Sequence, residues 1–191
     1  MFNEKAASTD TVSAGLVART GANSGARAGG VFHVQCLDKD GNLKWETSEH
    51  NLVVNEGLQD MNTQYFKGSS YTAVAYLGLI TGPGSGTTYA AADTLASHSW
   101  TEFTNYSGSR KAVTFGTATT ADPSVISNSA SPSAFTISGG GGVVAGAFLC
   151  SVASGTTGIL FSESDFQSPG DRTVVAGDTL NVTYTFSLDA A

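Results

Sequence analysis

Three histidines, His33, His50 and His98, are the only imidazole bases this chain can offer a nucleophile. Serines are abundant, yet none stands in a G-x-S-x-G elbow, and no histidine belongs to a recognisable motif. Each histidine reads as a polar strand or loop residue. Asp38, Asp40, Asn42 and Glu49 fall at positions 1, 3, 5 and 12 of a possible calcium loop. Glycine, however, stands at position 4 instead of 6, and strands flank the run, so it reads as a hairpin turn. GPGSG lacks the G-K-[ST] and the strand-then-helix setting of a phosphate cradle; it reads as a plain loop. Cys36 and Cys150, with three scattered histidines, give no zinc spacing. The two cysteines could pair across a sandwich, but each sits in an apolar strand pattern, so buried free thiols are expected. Among 16 acids nothing singles out a glycosidase pair. Asn105-Tyr106-Ser107 and Asn181-Val182-Thr183 are glycosylation sequons in form only. The expectation is a non-enzyme without metal or cofactor.

The elements that would position any site are strands. Apolar residues make up 40% of the chain, enough for a core, while charged residues are only 13% against about a quarter in ordinary domains. Gly, Ser, Thr and Ala fill the difference, which suits a β protein with many turns and a neutral-polar surface. A net charge of −7 argues against gripping nucleic-acid phosphates. Residues 1–30 carry Lys5, Arg19 and Arg27 against Glu4 and Asp10, a net +1, which leaves −8 for the rest. MFNEKAASTDTVSAG has no apolar signal-peptide core, and no run of about 18 apolar residues could cross a membrane. The expectation is a soluble chain made in a cytoplasm.

Residues 1–30 read as a segment apart. GANSGARAGG has flexible-linker composition, and Val12, Leu16 and Val17 form an apolar patch too small to fold alone. The segment is either an extended arm that orders on a partner or a disordered tail; the arm is the favoured reading, with Phe2, Val12, Leu16, Val17, Arg19 and Arg27 as its contacts. A folded domain is expected over 31–191. VFHVQCLD alternates, with Phe32, Val34 and Cys36 on one face; DKDGN is a turn, and LKWETS returns. AVAYLGLIT (73–81) and VVAGAFLCSV (143–152) are continuous enough to lie deep in a sheet. Strands are also expected within 91–106, where Trp100, Glu102 and Thr104 alternate with Thr101, Phe103 and Asn105, and in KAVTFGTAT, SVISNSA, SAFTIS and TGILFSE. The last strand alternates most cleanly, through Leu180, Val182, Tyr184, Phe186 and Leu188. Nine or ten short strands indicate an antiparallel β-sandwich, jelly-roll-like, or a barrel.

One helix interrupts the strands. Asn55 offers an N-cap, Glu56 and Asp60 favour a helix start, and Lys67 and Gly68 close the last turn. Leu58, Met61, Asn62, Tyr65 and Phe66 follow helical spacing and are expected to form the buried face. On that reading Leu58→Asp blocks folding.

The runs GNLKWETSEHNLVVNEGLQDM, YLGLITG, DTLASHSWTEFTNYS and VVAGDTLNVTYTFS resemble small structural, virion-associated proteins of tailed bacteriophages. The likeness covers residues ~31–188 and leaves out the first thirty. It implies a virion component assembled in the bacterial cytoplasm. The role expected first is a capsid decoration (cement) protein: a homotrimer bound to the major capsid protein and to copies of itself. The alternative is a tail, neck or fibre-adaptor subunit.

Overall fold

The computed structural model describes residues 25–68, 73–82, 89–167 and 170–190. It is mainly β, with two antiparallel sheets and one short helix. The strands are β1 (Ala26–Leu37), β2 (Leu43–His50), β3 (Leu52–Val53), β4 (Tyr76–Thr81), β5 (Glu102–Phe103), β6 (Lys111–Ala112), β7 (Ser124–Ser127), β8 (Ser133–Thr136), β9 (Gly142–Cys150), β10 (Leu160–Asp165), β11 (Arg172–Val174) and β12 (Thr179–Ala190). The first sheet runs β2-β1-β12-β7, with β8 also on β12; the second runs β3-β10-β9-β4-β5, with β11 on β9 and β6 on β4.

Alternation works as expected in the first sheet. Phe32, Val34 and Cys36 lie opposite Tyr184, Val182 and Leu180. All six are fully buried. They meet Leu77, Leu79, Val144, Ala147 and Leu149 of the second sheet in one core, which makes the fold a two-layer sandwich. Each such side chain contributes about 1.5–3 kcal/mol by leaving water. The second sheet is apolar on its other face as well. There Ile80, Ala145, Phe148, Cys150 and Leu160 pack under Val54, Leu95 and Trp100, so the segment from Tyr89 to Trp100 forms a third, irregular layer. That double burial explains why β4 and β9 read as unbroken apolar runs.

A side chain repairs a gap in the first sheet. β12 is paired by β7 at residues 185–188 and by β8 at 179–182. Between them the fully buried Asn128 takes the missing partner's place: its Oδ1 accepts from Tyr184 N (2.7 Å) and its Nδ2 donates to Val182 O (3.2 Å). Arg110, also buried, donates through Nε and Nη2 to the Glu102 carboxylate (3.0 and 2.7 Å) and through Nη1 to Cys150 Sγ (3.6 Å) at the end of β9 and to Val152 O (3.2 Å) just beyond it, fixing 102–110 there.

Four expectations are corrected. The division at residue 30 falls inside a strand, since β1 begins at Ala26 and Ala26–Gly30 pair with Ala190–Phe186. Gly30 is a strand glycine there, because a Cβ would sit 2.7 Å from the Tyr184 hydroxyl. The 91–106 strand shrinks to β5: Trp100 faces the outer layer and Phe103 enters the sandwich, the opposite faces that alternation expects, but the chain before them runs through turns and not a strand. Likewise the strand expected over 111–119 is only β6. Both cysteines are buried free thiols, as expected.

The fourth correction concerns the helix. α1 (Asn55–Asn62) continues as a π-helical turn over Thr63–Lys67. Val54 occupies the cap position, and no side chain caps the helix. Gly57 and Asp60 face inward and Met61 touches the core, whereas Leu58, Tyr65 and Phe66 are 41%, 84% and 76% exposed. Two contacts set this rotation. Gly57 lies so close to β10 that a Cβ would collide with the Phe161 carbonyl. The Glu56 carboxylate accepts from Leu160 N (2.7 Å) and Leu95 N (3.3 Å), tying helix, sheet and outer layer together. Leu58→Asp is therefore expected to fold.

Candidate functional site

The arm residues Phe2, Val12, Leu16, Val17 and Arg19 lie outside the described residues. Arg27 is placed: it is an exposed residue of β1 opposite Asp189. The three histidines are not brought together. His33 projects from the open face of the β1–β2 pair, its Nδ1 2.8 Å from Ser48 Oγ and its Nε2 4.0 Å from Glu46 Oε2. A serine, an imidazole and a carboxylate in this order resemble a catalytic set, which sequence reasoning missed because the hairpin register creates it. It stands on a sheet face, outside both clefts described below. His98 stacks on Trp100 with ring centroids 3.6 Å apart and joins the Trp100 carbonyl through Nδ1 (2.8 Å).

The residues of the possible calcium loop are a turn. Asp38 accepts from the backbone N–H of Asn42 (2.9 Å) and Asp40 (2.8 Å) and from Asn42 Nδ2. These bonds, the Asn42 amide first, hold its carboxyl below the usual range. Gly41 completes the turn at φ 86°, a conformation that favours glycine.

Two surfaces remain. The first is the outward side of α1 and the turn after it, where Leu58, Tyr65 and Phe66 face solvent and the two rings meet edge to face at 4.9 Å. Scattered apolar residues on a surface are ordinary; here two aromatics lie adjacent and exposed. Of the face that helical spacing defines, Met61 packs against the core as expected, while Leu58, Tyr65 and Phe66 turn outward.

The second is a cleft of about 240 Å³ lined by His50, Leu52, Tyr89, Glu163, Ser164, Asp165 and Gln167. Glu163 is fully buried. Its Oε2 accepts from Trp100 Nε1 (2.6 Å), and the Asp93 carboxyl lies within hydrogen-bonding reach. Burial, reinforced by the nearby Asp93 carboxylate, raises its pKa from 4.5 to about 7 against the lowering effect of the Trp100 bond. Asp165 is shifted upward too, by burial and then by Asp171, with a smaller contribution from Glu49. Its carboxylate accepts from Gln167 Nε2 (2.8 Å) and Tyr89 Oη (3.5 Å). The ion pairs among the described residues engage other acids: Glu46, Asp40, Asp178 and Glu102. Glu163 and Asp165 share a face as residues two apart on β10, but nothing in the sequence brings Asp93 to Glu163, which happens only through the outer layer. A further open cleft of about 470 Å³ lies where β1 starts, between Gly25, Asp122 and Leu188.

Comparison of the chain with family models, with curated proteins and with solved structures finds no match.

Proposed function

We propose that this chain is a structural protein of a tailed-bacteriophage virion, a capsid decoration protein that binds the outside of the head and ties neighbouring major capsid protein subunits together. The observation that carries the reading is the exposed apolar face of α1, Leu58 with the Tyr65–Phe66 pair. It belongs to the same stretch that carries the resemblance, NLVVNEGLQDM with the turn after it. A small, rigid sandwich with scarce charge and one such face suits a lattice clamp, whose work is contact and not catalysis. In this reading the sandwich is jelly-roll-like and the protein is a homotrimer. The chain before Gly25 is an arm that continues from β1 to a neighbouring subunit. Extended arms and sheet edges can add pairing across subunits, and many weak sites acting together raise avidity.

The count of copies per purified particle tests this. A number in the hundreds supports decoration of the head, and a few dozen or fewer transfers the protein to the tail, neck or fibre adaptor. Absence from the particle refutes both. Release of reducing sugar from host polysaccharide by the purified protein would instead make it an enzyme.

A further inference from the structure

The inner face of the first sheet outruns the layer that covers it. Along β12 every second side chain takes the core-facing side: Leu180, Val182, Tyr184, then Phe186, Leu188 and Ala190. The first three are fully buried. Phe186 is half-buried and meets Phe161 of β10 edge to face, with ring centroids 5.5 Å apart. Cover ends there: Leu188 is 38% exposed and Ala190 faces solvent. β1 repeats the pattern, because Ala28 lies opposite Leu188 and Ala26 opposite Ala190, and directly paired residues project from the same face. Its burial falls in step from Gly30 through Ala28 to Ala26. Ala26, Leu188 and Ala190, with Ala121 and Ser124, line the open cleft of about 470 Å³. The cleft is a stretch of core-facing sheet without its second layer.

We propose that this cleft is filled by the N-terminal arm of a second copy of the chain, with the arm's Val12 and Leu16 seated over Leu188 and the paired alanines. The inference rests on the reading that the residues before Gly25 reach a neighbouring subunit, and it adds the place where they land. Chemistry matches on both sides. The cleft wants aliphatic side chains, and Val12, Leu16 and Val17 are the aliphatic cluster of residues 1–24. An extended chain puts Val12, Ala14 and Leu16 on one side and Val17 on the other. The rim carries Asp122 and Asp189, and Arg19 stands three residues beyond Leu16 to meet them.

Reach and stoichiometry favour a second copy over the chain's own arm. The arm joins the fold at Gly25, which itself lines the cleft, so a seat for the same chain requires it to reverse at the point where it leaves β1. Extended, the thirteen steps from Gly25 to Val12 span up to about 45 Å, comparable with the ~40 Å diameter of a domain this size. Each copy offers one arm and one cleft. A contact of that kind is heterologous, and it closes into a ring when the rotation between copies allows, which is the arrangement a homotrimer needs.

Both native thiols are buried, so a new pair of cysteines reports the contact in the full chain. Leu188→Cys is combined in turn with Val12→Cys, Leu16→Cys or Val17→Cys, oxidised mildly, and run on denaturing gels without reductant. The control pairs Leu16→Cys with Val175→Cys, an exposed position outside the cleft. Disulfide-linked dimers and trimers are expected from the Val12 and Leu16 pairs, with less from Val17 and only monomer from the control. A disulfide within one chain would show that the arm folds back on its own cleft and would overturn the proposal. Equal linking in the control, or no linking at all, overturns it too. Leu188→Asp gives an independent reading by light scattering: the folded protein should fall from trimer to monomer, and an unchanged assembly counts against the seat. The virion reading fails separately. Hundreds of copies on the particle without the crosslink keep decoration and remove this seat, whereas crosslinked trimers absent from the particle do the reverse.

Discussion

Glu163→Gln should reverse the usual effect of disturbing a buried polar residue: it should stabilise the fold at alkaline pH. The native carboxyl is fully buried, and its pKa rises from 4.5 to about 7. The folded state therefore holds a proton that the unfolded chain has already lost. Stability from that proton is complete below pH 4.5 and drains away as pH rises to about 7. The size of the shift corresponds to about 3 kcal/mol above pH 7. Glutamine mimics the protonated acid: its side-chain oxygen can still accept from Trp100 Nε1, and it never ionises. Urea and thermal unfolding followed by circular dichroism at pH 4.5, 6 and 8 measure the difference. The variant should match the native protein at pH 4.5 and exceed it at pH 8, with a midpoint temperature about 6–12 °C higher for a chain of this size. Contributions from other acids, such as the lowered Asp38, act in both proteins and cancel in the difference. Parallel stability curves, or a native protein that gains on the variant as pH rises, would refute the buried-acid reasoning.

Asn128→Ala should cost about 2–4 kcal/mol, because it strands Tyr184 N and Val182 O inside the first sheet; denaturant midpoints at fixed slope measure it. Gly57→Ala should cost about 1–3 kcal/mol, since the new Cβ pushes α1 off the Phe161 backbone. Hydrogen exchange in α1 should then quicken more than exchange in β12. Leu58→Asp should change stability by no more than about 0.5 kcal/mol, in keeping with its 41% exposure, while weakening attachment to particles. A variant that fails to fold would restore the buried-face reading.

Strand residues with one buried face were legible in the sequence. Phe32, Val34 and Cys36, or Leu180, Val182 and Tyr184, alternate because one side meets the core and the other does not. The hairpin at Asp38–Asn42 was legible for a local reason, as one carboxylate and one glycine make the turn. Three features were not. The helix is oriented by Glu56 and Gly57, a hydrogen-bond anchor and a close backbone approach, and neither registers in a hydrophobic period. The outer layer has no regular period because its chain runs through turns closed by the isolated Thr94–Ser97 bridge and forms no strand of its own. The acidic cleft joins Asp93 to Glu163 across seventy residues, a distance that only tertiary structure closes.

Imaging of the purified particle tests the central proposal most directly. The account predicts this sandwich on the outer surface of the head, with Leu58 of α1 and Tyr65 and Phe66 of the turn after it buried against a capsid subunit or a second copy. Density for the protein in the tail, or on the head with those three side chains facing open solvent, would contradict it.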